Sequence, residues 1–182
     1  MELEAALGAG GAQVYVTRDE DAGPSDSERA ALANRVGADI LVSIHVASMP
    51  DAAASGAATF YYGNERYQSS AGARLADAVQ SAIRGLGLVD GRTHAKTWAI
   101  LRETRMAAIQ IEPAFISNAD EEKLLADPAF HRRLAHAVAE AIRSVAVGSQ
   151  DARSQPVPSR PATVIDRSTI SSPEKSSGAG AE

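Results

Sequence analysis

Residues 39–46, DILVSIHV, are apolar on both sides of an extended chain. A strand with one face in water alternates polar and apolar side chains, so a run like this one needs cover on both faces. That is the condition of an inner strand in a helix-covered parallel sheet. Residues 13–17 (QVYVT) read as an earlier strand. Between the two, Ser25 stands three residues before Glu28 as a capping box, and Leu32, Ala33 and Val36 follow near helical spacing. Strand, helix and strand over this span predict a βαβ unit with a right-handed crossover and a parallel pair.

The pattern continues downstream. Residues 58–62 (ATFYY), 97–101 (TWAIL) and 108–112 (AIQIE) read as further strands. Leu75, Val79, Ile83 and Leu86 mark a long helix over 69–86. Asn118 with Glu121 caps a short helix, and Asp127 before Pro128 opens a last one carrying Leu134, Val138, Ile142 and Val145 on its apolar face. The expected fold class is α/β, a mostly parallel sheet flanked by helices.

Composition divides the chain near Gly148. Residues 148–182 hold eight serines, four prolines and no aromatic residue, too little apolar surface to offset the entropy of ordering, and read as a disordered tail. All eight aromatic residues fall in 1–147, which reads as one domain. With 18 Lys+Arg against 23 Asp+Glu, the net charge of −5 argues against a general nucleic-acid partner. The absence of cysteine removes disulfides, Cys-ligated zinc and thiol catalysis together. No apolar run is long enough to span a membrane, and MELEA has neither a basic n-region nor an apolar h-region. Read as it stands, the chain is expected in the cytoplasm; an upstream signal would place it in the cell envelope or outside the cell.

Two polar residues fall where an α/β sheet puts a site. His45 ends one predicted inner strand and Glu112 ends another, so parallel strands bring both to one edge. A neutral imidazole ligates zinc, and a carboxylate beside a metal-bound water can take its proton. Position alone leaves the blander readings open: a rim histidine, and a glutamate capping a neighbouring helix. His131 and His136 are five apart on a helix, which does not suit a shared ligand pair, and read as solvated. His94 reads as a polar loop residue beside Trp98.

Taken in order, VTRDED, SERAALANRVGADILVSIHVAS, GAATFYY and ILRETRMAAIQIEPAFISNADEEKLL resemble the zinc-dependent N-acetylmuramoyl-L-alanine amidases of bacterial cell-wall turnover. The likeness runs from about Tyr15 to Val145. It implies a mixed sheet flanked by helices and hydrolysis of the amide between N-acetylmuramic acid and the first L-alanine of the stem peptide, with peptidoglycan or a muropeptide as substrate. By the same resemblance His45 is a metal ligand for Zn2+ and Glu112 the catalytic glutamate. Arg18, Arg29, Asn34, Arg102 and Asn118 match recurring family positions and are expected to hold loops.

The same comparison implies differences. The family's first histidine and its metal-binding glutamate lie upstream of the VTR strand, so the sequence predicts a sheet without the family's first strand, an exposed edge, and a weak or absent zinc site. Val46-Ala47-Ser48 and Pro113-Ala114 replace the residues usual after SIH and after the glutamate. Three readings follow: an amidase completed by an upstream segment, a catalytically inactive amidase-fold regulator, or a truncated product without function. In the second the tail is a docking point for a protein partner, with Thr163 or Thr169 phosphorylated.

Overall fold

A computed structural model describes residues 2–18, 23–151 and 162–167. In chain order the elements are α1 (Glu2–Ala9), β1 (Gln13–Val16), α2 (Asp26–Val36), β2 (Ile40–Ile44), β3 (Ala57–Tyr62), α3 (Ser70–Arg84), β4 (Asp90–Lys96), α4 (Ala99–Arg102), β5 (Ala107–Glu112), α5 (Ala119–Leu125), α6 (Pro128–Asp151) and β6 (Ala162–Arg167). The strands form one sheet in the order β1-β6-β2-β5-β3-β4. Parallel pairing runs from β1 through β6 and β2 to β5, and again between β3 and β4; β3 meets β5 antiparallel. This is the α/β, mostly parallel sheet expected from the inner-strand pattern, and the antiparallel β3–β5 pair makes it mixed, as the family resemblance implies.

Each face of the sheet is covered. On one, Ile40, Val42, Ile109, Ile111 and Ile165 pack under Leu3 and Leu7 of α1, Leu75, Val79 and Ile83 of α3, and Val138 and Ile142 of α6. On the other, Leu41, Phe60, Ala108 and Val164 meet Ala33 of α2 and Ile100 and Leu101 of α4. The alternation along β2, Ile40 and Val42 against Leu41, is why 39–46 is apolar on both sides.

The predicted cap of α2 is present in full. Ser25 Oγ accepts from the Glu28 amide at 3.4 Å, Glu28 Oε2 accepts from the Ser25 amide at 2.8 Å, and Gly37 ends the helix at φ 65°. Ser25→Ala is expected to lower stability by about 1 kcal/mol in a urea titration, since both reciprocal bonds are disturbed.

The structure differs from expectation in three places. Residues 97–101 are not a strand: Trp98 starts the single turn of α4, and the edge strand is the preceding, polar Asp90–Lys96. A short apolar run does not distinguish a helical turn from a strand, and burial alternates along β4 as on an edge open to water. His94 therefore lies in a strand and not in a loop. β1 and β2 are parallel but not neighbours, because β6 lies between them. β6 therefore fills the position next to β1 where an exposed edge was expected. Within 148–182, residues 148–151 end α6 and 162–167 form β6; the other tail residues, Thr169 included, lie outside the described ones. Thr163 is 2% exposed between two strands, a poor target for a kinase while the sheet is intact.

Candidate active site at the sheet rim

His45 follows the last residue of β2, and its amide donates to Ile111 O at 2.9 Å. Since Ile44 is in register with Ile111, His45 and Glu112 occupy the next position on adjacent parallel strands. Such neighbours point to the same face, roughly 4.8 Å apart in the backbone. That face is the one carrying Leu41 and Ala108, which is covered by α2 and α4. The sequence placed both on this edge, and the register supplies their common face.

Both side chains are half-buried, and burial moves each toward its neutral form. Desolvation lowers the pKa of His45 from the ordinary imidazole value; Asp26 opposes this and Arg29 adds to it. Its Nε2 is buried. Burial raises the pKa of Glu112, against the hydrogen bond that Gln110 Nε2 donates to Oε1 at 3.0 Å and the positive charge of Lys96. A carboxyl raised in the fold favours folding below its unfolded value, near 4.5, and that contribution is lost as pH rises through the folded value. Glu112→Gln should therefore melt above the parent protein at neutral pH, and the gap should close on acidification below about 4.5.

Glu112 opens onto a groove of about 480 Å³ walled by Met49, Ala58, Phe60, His94, Lys96 and Phe115. Phe60 is its apolar floor: His94 lies 5.8 Å and Trp98 4.8 Å from it, centroid to centroid. Lys96 Nζ stands 5.9 Å from the centre of Phe60 and 5.7 Å from that of Trp98, a cation held over two aromatic rings. Lys96 was not singled out from the sequence, because a lysine in a polar strand gives no local signal until pairing with β3 brings it over Phe60.

A buried carboxylate fixes two walls of this groove. Glu121 Oε1 accepts from the Gly56 amide at 2.7 Å and Oε2 from the Phe115 amide at 2.6 Å. Gly56 is at φ 110°, and a Cβ there would lie 2.7 Å from Val89 O, so the position admits only glycine. In sequence Glu121 read as part of a helix cap. In fact Asn118 Oδ1 caps α5 by accepting from Asp120 and Glu121, and Asn118 Nδ2 donates to Ala52 O at 3.2 Å. Asn34 ties α2 to the turn after α4, donating to Glu103 O and accepting from the Arg105 amide. Arg29 Nε donates to Pro24 O, and Arg102 Nη1 donates to Thr97 O. Pro113 leaves Glu112 in the β5 ladder, opposite Ala58.

Among the described residues no group of three or more His, Asp or Glu is placed to hold a metal ion. His94 Nε2 is bonded to Gly91 O and His131 Nε2 to Leu125 O, and with His136 all three are exposed, away from His45. A larger hollow of about 660 Å³, lined by Arg74, Arg102 and Arg105, lies at the other end of the strands and contains neither His45 nor Glu112. No described helix is long and apolar enough to cross a membrane.

A three-layer α/β domain with an imidazole and a half-buried carboxyl paired at the strand ends, opening on an aromatic groove, defines the class. The chain belongs to the N-acetylmuramoyl-L-alanine amidase family, which it matches over residues 1–144. It is 35% identical over 143 residues to the N-acetylmuramoyl-L-alanine amidase CwlM of Mycobacterium tuberculosis, covering 78% of this chain and 35% of that protein. It is 34% identical over 135 residues to the endolysin of Bacillus phage SPP1, covering 72% and 49%. The crystal structure of an N-acetylmuramoyl-L-alanine amidase from Clostridium difficile 630 superposes with a TM-score of 0.72 at 29% identity, covering 80% of this chain and 81% of that one. The chain thus spans about a third to a half of the two curated relatives.

Proposed function

We propose that this chain recognises the N-acetylmuramoyl-peptide region of peptidoglycan in the groove over Glu112, as a binding domain of the amidase family. The observation that supports the reading is that Glu112, one strand position across from His45, lines that groove. The apolar floor suits the face of a sugar ring, and Lys96 suits a carboxylate of the stem peptide.

Zinc is typical of the family, and at this rim His45 has the chemistry of a ligand. One imidazole is not a zinc site, and the described residues supply no second or third donor beside it. No step of the proposed function passes through the ion.

Calorimetric titration of a soluble muropeptide into the full chain tests the reading. Saturable binding is expected, weakened by Lys96→Ala, with no stem peptide released and no zinc retained after dialysis. Release of stem peptide that needs zinc and disappears in Glu112→Ala would instead establish the hydrolase. Neither binding nor cleavage would overturn both.

A further inference from the structure

The larger hollow, of about 660 Å³, lies at the opposite end of the strands from Glu112 and gathers charge against the trend of the chain. Arg74, Arg102 and Arg105 line it against one carboxylate, Asp39, in a protein of net charge −5. Tyr62 and Tyr67 stand at its edge. We propose that this hollow is a second binding site, for a nucleoside diphosphate, with the phosphates on the arginines and the base on Tyr67.

The backbone beneath the three arginines is fixed without a ligand. Ile40 and Ala107, the first residues of β2 and β5, are in register at the floor of the hollow, and the antiparallel β3 ends at the same edge with Tyr62. α3 is tied to that end. The Ser69 amide donates to Tyr62 O at 2.9 Å, and Ser69 Oγ accepts from the Gly72 amide at 3.1 Å, which sets the turn that carries Arg74. The turn from α4 to β5 is held twice: Thr104 Oγ1 donates to Leu101 O at 3.0 Å, and Asn34 Oδ1 accepts from the Arg105 amide at 2.9 Å. A site whose main chain needs no rearrangement loses less affinity to ordering.

The arginines have donors to spare. Among the described residues neither Arg74 nor Arg105 has a carboxylate partner, whereas Arg84 and Arg143 each pair with one. Arg102 is paired with Glu103 at 2.8 Å, but both side chains are exposed, and a pair of this kind is weak enough to yield to a stronger anion. A guanidinium grips a phosphate through two parallel N–H donors, and three of them match the charge of a diphosphate. Tyr67 supplies the other half of the site. It is 60% exposed, with Tyr62 at 5.9 Å between ring centroids, and its main chain is held by Asn64 through bonds of 2.8 and 2.9 Å. A fixed, open aromatic face is what a planar base stacks on. The volume falls within the ~300–1,000 Å³ of small-ligand sites.

Calorimetric titration of uridine diphosphate and of adenosine diphosphate into the full chain tests the site. Both should bind saturably, since stacking tolerates either base, and more weakly as salt is added. Arg74→Ala and Arg105→Ala should each weaken binding about tenfold while melting with the parent, because both side chains are exposed. Tyr67→Ala should weaken it about fivefold and leave the affinity for inorganic pyrophosphate unchanged. Lys123→Ala, which removes an exposed charge on α5, should change neither. Where an alanine variant does not fold, Arg105→Lys decides: it keeps the charge, removes the fork, and should still lose affinity several-fold. Absence of saturable binding by either nucleotide would overturn the proposal, as would an equal loss in Lys123→Ala. Pyrophosphate bound as tightly as the nucleotides, with Tyr67→Ala silent, would overturn the nucleoside assignment, and so would capture of a phosphothreonine peptide but of neither nucleotide.

Discussion

Glu121→Ala is expected to lower the unfolding free energy by about 3 kcal/mol, read from urea titration of the full chain. Its carboxylate accepts two backbone bonds, from Gly56 and Phe115, and is only 9% exposed. A charge-assisted bond contributes about 1.5–3 kcal/mol, and its loss leaves two amide N–H groups near the limit of water access. The estimate sits at the low end of the sum because a water can enter the space left by the shortened side chain. Glu121→Gln keeps one acceptor oxygen and should lose about half as much. Because Gly56 and Phe115 are also walls of the groove, the alanine variant should bind muropeptide more weakly than its stability alone accounts for. Unchanged affinity at a temperature where the variant is folded would separate the clamp from the site.

The second large effect is expected at Gln80. Its Oε1 accepts from Thr59 Oγ1 at 2.8 Å, and its Nε2 donates to Ala57 O and Asp90 Oδ1, each at 2.8 Å. Gln80 is 6% exposed and Thr59 0%, so this amide joins α3 to the starts of β3 and β4 away from water. Gln80→Leu nearly conserves volume but strands the threonine hydroxyl and a strand carbonyl, for a cost of about 3 kcal/mol. The paired change Gln80→Leu with Thr59→Val removes both ends of one bond and should recover part of that loss, a coupling that a double-mutant cycle measures.

How much of this could be read from sequence depended on whether the cause was local. The inner strands β2 and β5 were legible because burial on both faces leaves an unbroken apolar run, and His45 and Glu112 followed as the polar residues that end those runs. The cap at Ser25 and Glu28 was legible because its partners are three residues apart. What escaped was set by distant contacts. β4 is polar and gains its strand character from pairing with β3, while the apolar residues of 97–101 are buried from a helical turn. Lys96 and Glu121 matter through groups 36 and 65 residues away, Phe60 and Gly56. β6 is the clearest case: in a stretch of serine and proline, TVI has no pattern of its own, and only the open position between β1 and β2 makes it a strand.

The position of β6 also imposes an order of events during synthesis. β1 is made nearly a whole domain before its partner; the contact from Thr17 to Ile165 spans 148 positions. The nascent chain can set β2, β5, β3 and β4 against their helices, while β1 must wait with an unpaired edge. Sheet closure is then a late, long-range step of the kind that slows folding. The interval between the two strands is when this protein is most open to association with another chain.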